Sequence, residues 1–247
     1  MRLPRRIFFL LALSVGAFAS GASADAELPM RDFLLRARRS NPIATYARLD
    51  GSLQHRRRGR DGIEEMPIYF GVILHPDRTV GQLILDGNEA YLLGQGKGVG
   101  VTSISRMPGG TPSDKLGYVG VRAGDLMLSF LFCRPLRELE GETLRGIVPC
   151  RVFELDDPSN KETVKVWISR EHAFPLRAEF TRYGENAPFR ELEAGALTKK
   201  NDLYYIRQIR LSGPGWSTRI DFDADRAEIA PLPASGSARI FRKLPSK

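Results

Sequence analysis

Ser169, Glu171 and His172 fall within four positions of one another in the stretch VKVWISREHAFPLRAEF, residues 164–180. A hydroxyl, a carboxylate and an imidazole are the groups of a hydrolytic triad. A nucleophilic serine needs a base within hydrogen-bond reach, a third group to orient that base, and donors for the developing oxyanion. No G-x-S-x-G pattern surrounds Ser169, so nothing supplies the strained elbow that presents such a serine. The other histidines, His55 and His75, lack H-E-x-x-H or comparable ligand spacing, and with no ligand set the sequence points to no metal and no cofactor. Alternation explains the stretch more simply. Val164, Val166 and Ile168 face one way, and Lys165, Trp167 and Ser169 the other. Leu176, Ala178 and Phe180 continue the apolar face beyond a turn at Arg170 to Pro175, which places the three polar residues at a hairpin tip on solvent. We therefore expect no catalytic residue and no enzyme.

The elements around this hairpin are mostly strands. Residues 28–41 place Met30, Phe33, Leu34 and Ala37 at helical spacing, and Asn41-Pro42 stops the pattern. The period then changes to two: Thr45, Ala47, Leu49 and Leu53, with Ile43 and Gly51, share one face, as do Ile68, Phe70, Val72 and Leu74. Asp86-Gly87-Asn88 reads as the turn of a hairpin. GQGKGVGV, residues 94–101, matches neither phosphate-binding fingerprint and reads as a flexible loop. The run 124–132 fits a short helix capped by Asp125 or a buried strand, and we take it as helix. From Gly146 onward the pattern is strand and turn, ending in a strand at 238–244.

At the start of the chain, Arg2, Arg5 and Arg6 precede an apolar run from Ile7 to Phe18 and the small residues Ala22, Ser23 and Ala24. That is the layout of a secretory signal cleaved after Ala24, and the apolar run is shorter than the roughly 20 residues of a transmembrane helix. Cleavage leaves residues 25–247 as one expected domain without a transmembrane segment, and lowers the formal charge from +8 to +5 by removing three arginines. The remaining basic residues form no dense stripe, and with export this argues against nucleic acid. Arg56, Arg57, Arg58 and Arg60 gather in an expected hairpin loop, read either as solvated or as a contact for an anionic partner. Cys133 and Cys150 form an even pair that an oxidising compartment would allow to bridge; the alternative is two buried thiols.

Three runs, GETLRGIVPCRVFELDDP, VKVWISREHAFPLRAEFTRYGE and LYYIRQIRLSGPGWSTRIDFD, together with the leading helix and the succession of strands, resemble the LolA-like superfamily of outer-membrane lipoprotein-sorting proteins. The matching positions are Pro149, Cys150, Val152 and Leu155, then Val164, Trp167, Ile168 and Ser169, then Pro175, Leu176, Arg177 and Glu179. The resemblance is best over residues 140–223 and weak before 120. It implies an α+β fold: a strongly curved antiparallel sheet, an incomplete barrel, closed by a few helices around an apolar hollow that accepts acyl chains. It also implies an arginine that holds a lid closed, for which the sequence offers no match. On that basis the expected function is a periplasmic carrier for lipid or lipoprotein acyl chains. Its candidate lining is Val166, Ile168, Ala178, Phe180, Ile220 and Phe222, and envelope membrane proteins are further partners. The other reading is an envelope sensor of the same fold that acts through a protein partner.

Overall fold

The computed structural model describes residues 28–38, 43–201, 203–233 and 240–244. The expected signal segment, residues 1–24, lies outside the described residues.

Helix α1, Met30–Ala37, buries Phe33, Leu34 and Ala37, the face that i, i+3 and i+4 spacing puts together. Five strands follow as a meander: β1 (Thr45–Arg57), β2 (Glu64–Leu74), β3 (Arg78–Leu85), β4 (Glu89–Gly96) and β5 (Thr102–Arg106). Asp86 and Gly87 turn the β3–β4 hairpin with φ of 52° and 72°, the two positive angles a tight hairpin requires. The chain then leaves the sheet through helix α2 (Lys115–Tyr118) and two 3₁₀ turns, Ala123–Met127 and Ser129–Phe132. A second meander runs through β6 (Arg134–Leu144), β7 (Val148–Asp157), β8 (Glu162–Ser169), β9 (Pro175–Arg182) and β10 (Arg190–Ala194). A separate hairpin, β11 (Leu197–Lys200) with β12 (Leu203–Ile206), precedes β13 (Gln208–Gly213), β14 (Trp216–Phe222) and β15 (Glu228–Pro231).

The main sheet has the order β5-β4-β3-β2-β1-β14-β13-β10-β9-β8-β7-β6, with β15 also paired to β1 and every described ladder antiparallel. Strand β1 joins the two meanders. A Cβ on its Gly51 would meet the backbone of Asp221 and Phe222, so this seam needs a residue without one. Among the described residues strands β5 and β6 remain edges, and the sheet is not closed.

Curvature follows from the crossover. The 3₁₀ turn at 123–127 packs on β4 and the turn at 129–132 on β7, strands one in from opposite edges. In a flat sheet they would lie about 43 Å apart at roughly 4.8 Å per strand. Ten residues of 3₁₀ helix span only about 20 Å. The sheet therefore curls, and register shifts in the β6–β7 and β8–β9 ladders add the local twist that bulges bring. The concave face, α1 and the crossover share one apolar cluster. The architecture is a curved, mostly-β half-barrel with few helices.

Several expectations are corrected. Leu176 does not simply continue the inward set of β9: a register shift after Trp167 leaves it half-buried, packed against both the interior cluster and the outer group of Cys150, Val152 and Trp167. Ser169 is not on solvent but 1% exposed. The thiols of Cys133 and Cys150 are free. Cys150 sits opposite Glu142, whereas Cys133 precedes Arg134, whose partner is Asp156. Six steps at about 3.3 Å part the two positions by roughly 20 Å, against the 7 Å or so that a bridge tolerates. The alternative reading, two thiols, is the one observed, and burial raises them to about 12 for Cys133 and about 11 for Cys150. The glycine-rich stretch contains the end of β4 and a hairpin into β5. Residues 240–244 form no strand. They strap the outer face of β2–β4, with Gln82 and Arg242 exchanging two hydrogen bonds at 2.8 and 2.7 Å; residues 238 and 239 lie outside the described residues.

Candidate functional site

The interior is not filled evenly. A cavity of about 110 Å³ lies between the end of α1, the inner face of β1 and β2, and the crossover residues Leu126–Phe132. Its wall is apolar for the most part, with Ala47, Leu49, Phe70, Val72, Leu131 and Phe222 in it. Alternation on β1 and β2 sends these residues to the concave side, and the small Ala47 leaves room between neighbours. The β11–β12 hairpin closes another side with Tyr204, Tyr205 and Ile206.

Among the described lining residues, Arg38 carries the one formal charge. Its Nε donates to the Leu131 carbonyl at 2.6 Å and its Nη2 to the Cys133 carbonyl at 3.1 Å, with the guanidinium 6.0 Å from the Phe132 ring centre. Burial pushes its pKa down, opposed by the nearby Cys133. Arg38 thus ties the far end of the crossover to the helix that precedes the sheet. Sequence reading did not single it out. The signal was present: Arg38 follows Leu34 by four positions and so extends the apolar stripe of α1 by one turn. On the opposite side the Gly100 amide donates to the Phe132 carbonyl at 3.0 Å, which gives the glycine-rich hairpin a place at the cavity rim. Tyr205 is 5% exposed, and its hydroxyl has no hydrogen-bond partner among the described residues. Burial raises its pKa.

The first part of the crossover is held differently. Glu89 on β4, fully buried, accepts from the Ser113 hydroxyl, the Lys115 and Leu116 amides and the Tyr91 hydroxyl. Desolvation is the largest single effect and works to raise its pKa, but the four bonds together outweigh it and hold the pKa below the usual carboxylate value. His55 on β1 is bonded at both ring nitrogens. Arg57 Nε donates to its Nε2 at 3.2 Å, so the imidazole is neutral and carries its proton on Nδ1, directed to Thr218 Oγ1 at 2.8 Å. Thr218 in turn donates to the Val119 carbonyl at 2.5 Å, and Arg57 to that of Tyr118 at 2.8 Å. Further on, Arg190 and Asp125, 3% and 5% exposed, pair inside the protein, and Arg122 pairs with the buried Glu162.

Of the expected lining residues, Phe222 reaches the cavity. Val166, Ile168, Ala178, Phe180 and Ile220 are in the packed cluster, none more than 2% exposed. Arg56 and Arg57 extend β1, and only Arg58 and Arg60 lie in the turn. Arg57 turns inward to Tyr118, Arg60 donates to the Tyr118 hydroxyl at 2.9 Å, and Arg56 and Arg58 are exposed. In the opening triad the Ser169 hydroxyl accepts the His172 backbone amide at 3.3 Å and so fastens the turn, while the His172 Nε2 lies 3.6 Å from the exposed Glu171 carboxylate. No group of metal-ligating side chains is found among the described residues.

A half-open antiparallel barrel with an apolar hollow under a crossover defines a class of architecture. No family model and no curated protein matches the sequence. Solved structures are similar in fold. A DUF1329 family protein from Desulfovibrio piger aligns over 81% of this chain and 90% of its own, at 14% identity and a TM-score of 0.56. A putative outer membrane lipoprotein-sorting protein domain from Vibrio parahaemolyticus gives the same coverage and identity with a TM-score of 0.55. A LolA superfamily protein from Nitrosomonas europaea covers 84% of this chain and 96% of its own, at 15% identity and a TM-score of 0.50. The chain has a LolA-like fold.

Proposed function

We propose that this protein is an exported, periplasmic carrier of acyl chains, of lipid or of lipoprotein, which takes part in outer-membrane lipoprotein sorting after cleavage of residues 1–24. The observation that supports it is the hollow whose wall, Leu126–Phe132, is held by carbonyl contacts from Arg38 and Gly100. Acyl binding needs apolar surface and a wall that yields, with no catalytic group. The likeness to a putative lipoprotein-sorting domain agrees with this reading. Among the described residues no helix is long and apolar enough to cross a membrane.

Size decides how binding must proceed. A cavity of about 110 Å³ is below the roughly 150 Å³ of an engineered cavity that holds benzene, and below the 300 Å³ or more of typical ligand pockets. It admits the end of one tail. A full chain requires Leu126–Phe132 to swing outward and Arg38 to release its two carbonyls. Charge-assisted hydrogen bonds contribute about 1.5–3 kcal/mol each, and each buried methylene about 0.8 kcal/mol. Some four to eight methylenes therefore offset the clamp, fewer than a membrane acyl chain supplies.

Native mass spectrometry of the protein after mild extraction from the cell envelope tests this reading. The expected spectrum contains a species heavier by one acylated molecule. Only the unliganded mass, together with failure to bind an added apolar dye, would overturn the carrier assignment.

A further inference from the structure

Polar groups in an apolar pocket fix the orientation and class of what binds, and those around this cavity are unequal. Arg38 is the single formal charge in the described lining, and no aspartate or glutamate accompanies it. Tyr205 lines the same cavity with a buried hydroxyl that has no partner among the described residues. The Gln95 amide is occupied: its Nε2 donates to the Gly96 and Val101 carbonyls at 3.1 and 3.0 Å, and its Oε1 accepts from Thr102. Beside the hydroxyl residues Thr45, Tyr46, Thr79 and Tyr204, Arg38 and Tyr205 thus stand against no acidic group in the described lining. Arg38 is spent on the carbonyls of Leu131 and Cys133 while the wall is shut, and when the wall swings out its guanidinium loses both acceptors beside a hydrocarbon surface. A buried donor without an acceptor is unfavourable, so a ligand that brings an acceptor is selected over one that brings only hydrocarbon.

We infer that the cargo is an acyl chain seated with its carbonyl oxygen, of a carboxylate or an ester, toward Tyr205 and Arg38, rather than a neutral hydrocarbon moiety alone. The inference rests on the carrier reading. It adds a head-group rule: Tyr205 donates to the acyl oxygen, and Arg38 exchanges its bonds to the crossover for one to the ligand. A carboxylate and an ester share the oxygen and differ in charge, which only Arg38 distinguishes.

Calorimetric titration with palmitate, with methyl palmitate and with the apolar dye N-phenyl-1-naphthylamine separates the possibilities. Tyr205→Phe keeps the ring and deletes the hydroxyl. It should weaken the acid and the ester by about tenfold relative to the dye. Arg38→Met keeps the apolar stem. A loss larger for the acid than for the ester identifies the free carboxylate as cargo, and an equal loss identifies the esterified chain. If the Tyr205→Phe protein binds acid, ester and dye as the parent does, the head-group rule is overturned while the carrier reading stands. Absence of binding by all three ligands, dye included, removes both.

Discussion

The two halves of the concave face do different things with the same alternating pattern. Strands β6–β10 contribute no residue to the cavity, and their inward side chains Phe153, Leu155, Val164, Val166 and Ile168 have no exposed surface. Strands β1 and β2 carry an equally regular alternation, yet Ala47, Leu49, Phe70, Val72 and Leu74 border a hollow. The difference lies in what covers them. The β6–β10 half meets the buried end of α1, with Phe33 stacked on Phe153 at 5.7 Å, and the Phe130 ring, edge-on to Phe180 at 5.8 Å. The β1–β2 half meets a stretch of crossover that does not reach down to it. One half holds the fold, and the other holds space.

The crossover shows the same contrast along its own length. Residues 113–125 are fixed through a buried carboxylate, a bonded imidazole and two ion pairs with buried members. Residues 126–132 have apolar packing, the Arg38 clamp and one backbone contact from Gly100. Leu128, at the joint between the two 3₁₀ turns, takes φ of 53°, an angle costly for a residue with a branched side chain. Movement is therefore assigned to the second stretch, with the first as its anchor.

The sharpest way to break the contrast is truncation. Leu155→Ala removes a side chain packed on all sides and should cost about 4 kcal/mol, whereas Leu74→Ala widens an existing hollow and should cost about 2 kcal/mol. Urea unfolding of both variants measures this, and equal losses would mean the halves are packed alike. Filling gives a smaller effect. Ala178→Leu overpacks the solid half and should destabilise by about 1–3 kcal/mol. Ala47→Leu grows into the cavity and should change stability by less than about 1 kcal/mol while lowering acyl-chain affinity, as a paired denaturation and dye-binding measurement would show.

Acid supplies the mildest test, directed at the anchor. Burial, then the charge of Arg57, lowers the pKa of His55 from 6.5, with Glu64 opposing. Burial also lowers that of His172, with Glu171 opposing and Arg36 assisting. The unfolded chain therefore takes up protons below about pH 6.5 that the folded state resists, and stability falls as pH drops through that range. A His55→Gln variant should show a shallower decline between pH 6.5 and 5 in thermal melts. A slope identical to the parent's would remove His55 from the anchor.

Much of the fold was legible because alternation reports which face is buried. The hairpin at Asp86-Gly87, α1 and the strand-rich second half all follow from local pattern. Emptiness is not legible in this way: Phe180 and Phe222 read alike in sequence, and only Phe222 borders the cavity. The lipoprotein-sorting resemblance was strongest over 140–223, which lent weight to residues of the solid half. The register shift that sets Leu176 against both faces leaves no mark in composition. Arg38 and Tyr205 were missed because one sits at a helix end among several arginines and the other on a short hairpin, and both matter only through distant contacts.

Hydrogen exchange across residues 113–133, with and without a saturating acyl ligand, tests the central assignment most directly. The amides of Leu126–Phe132 should change protection on loading, while those of Lys115–Asp125 stay protected in both states. Unchanged protection across both stretches with ligand bound would contradict a hollow that opens by moving this wall.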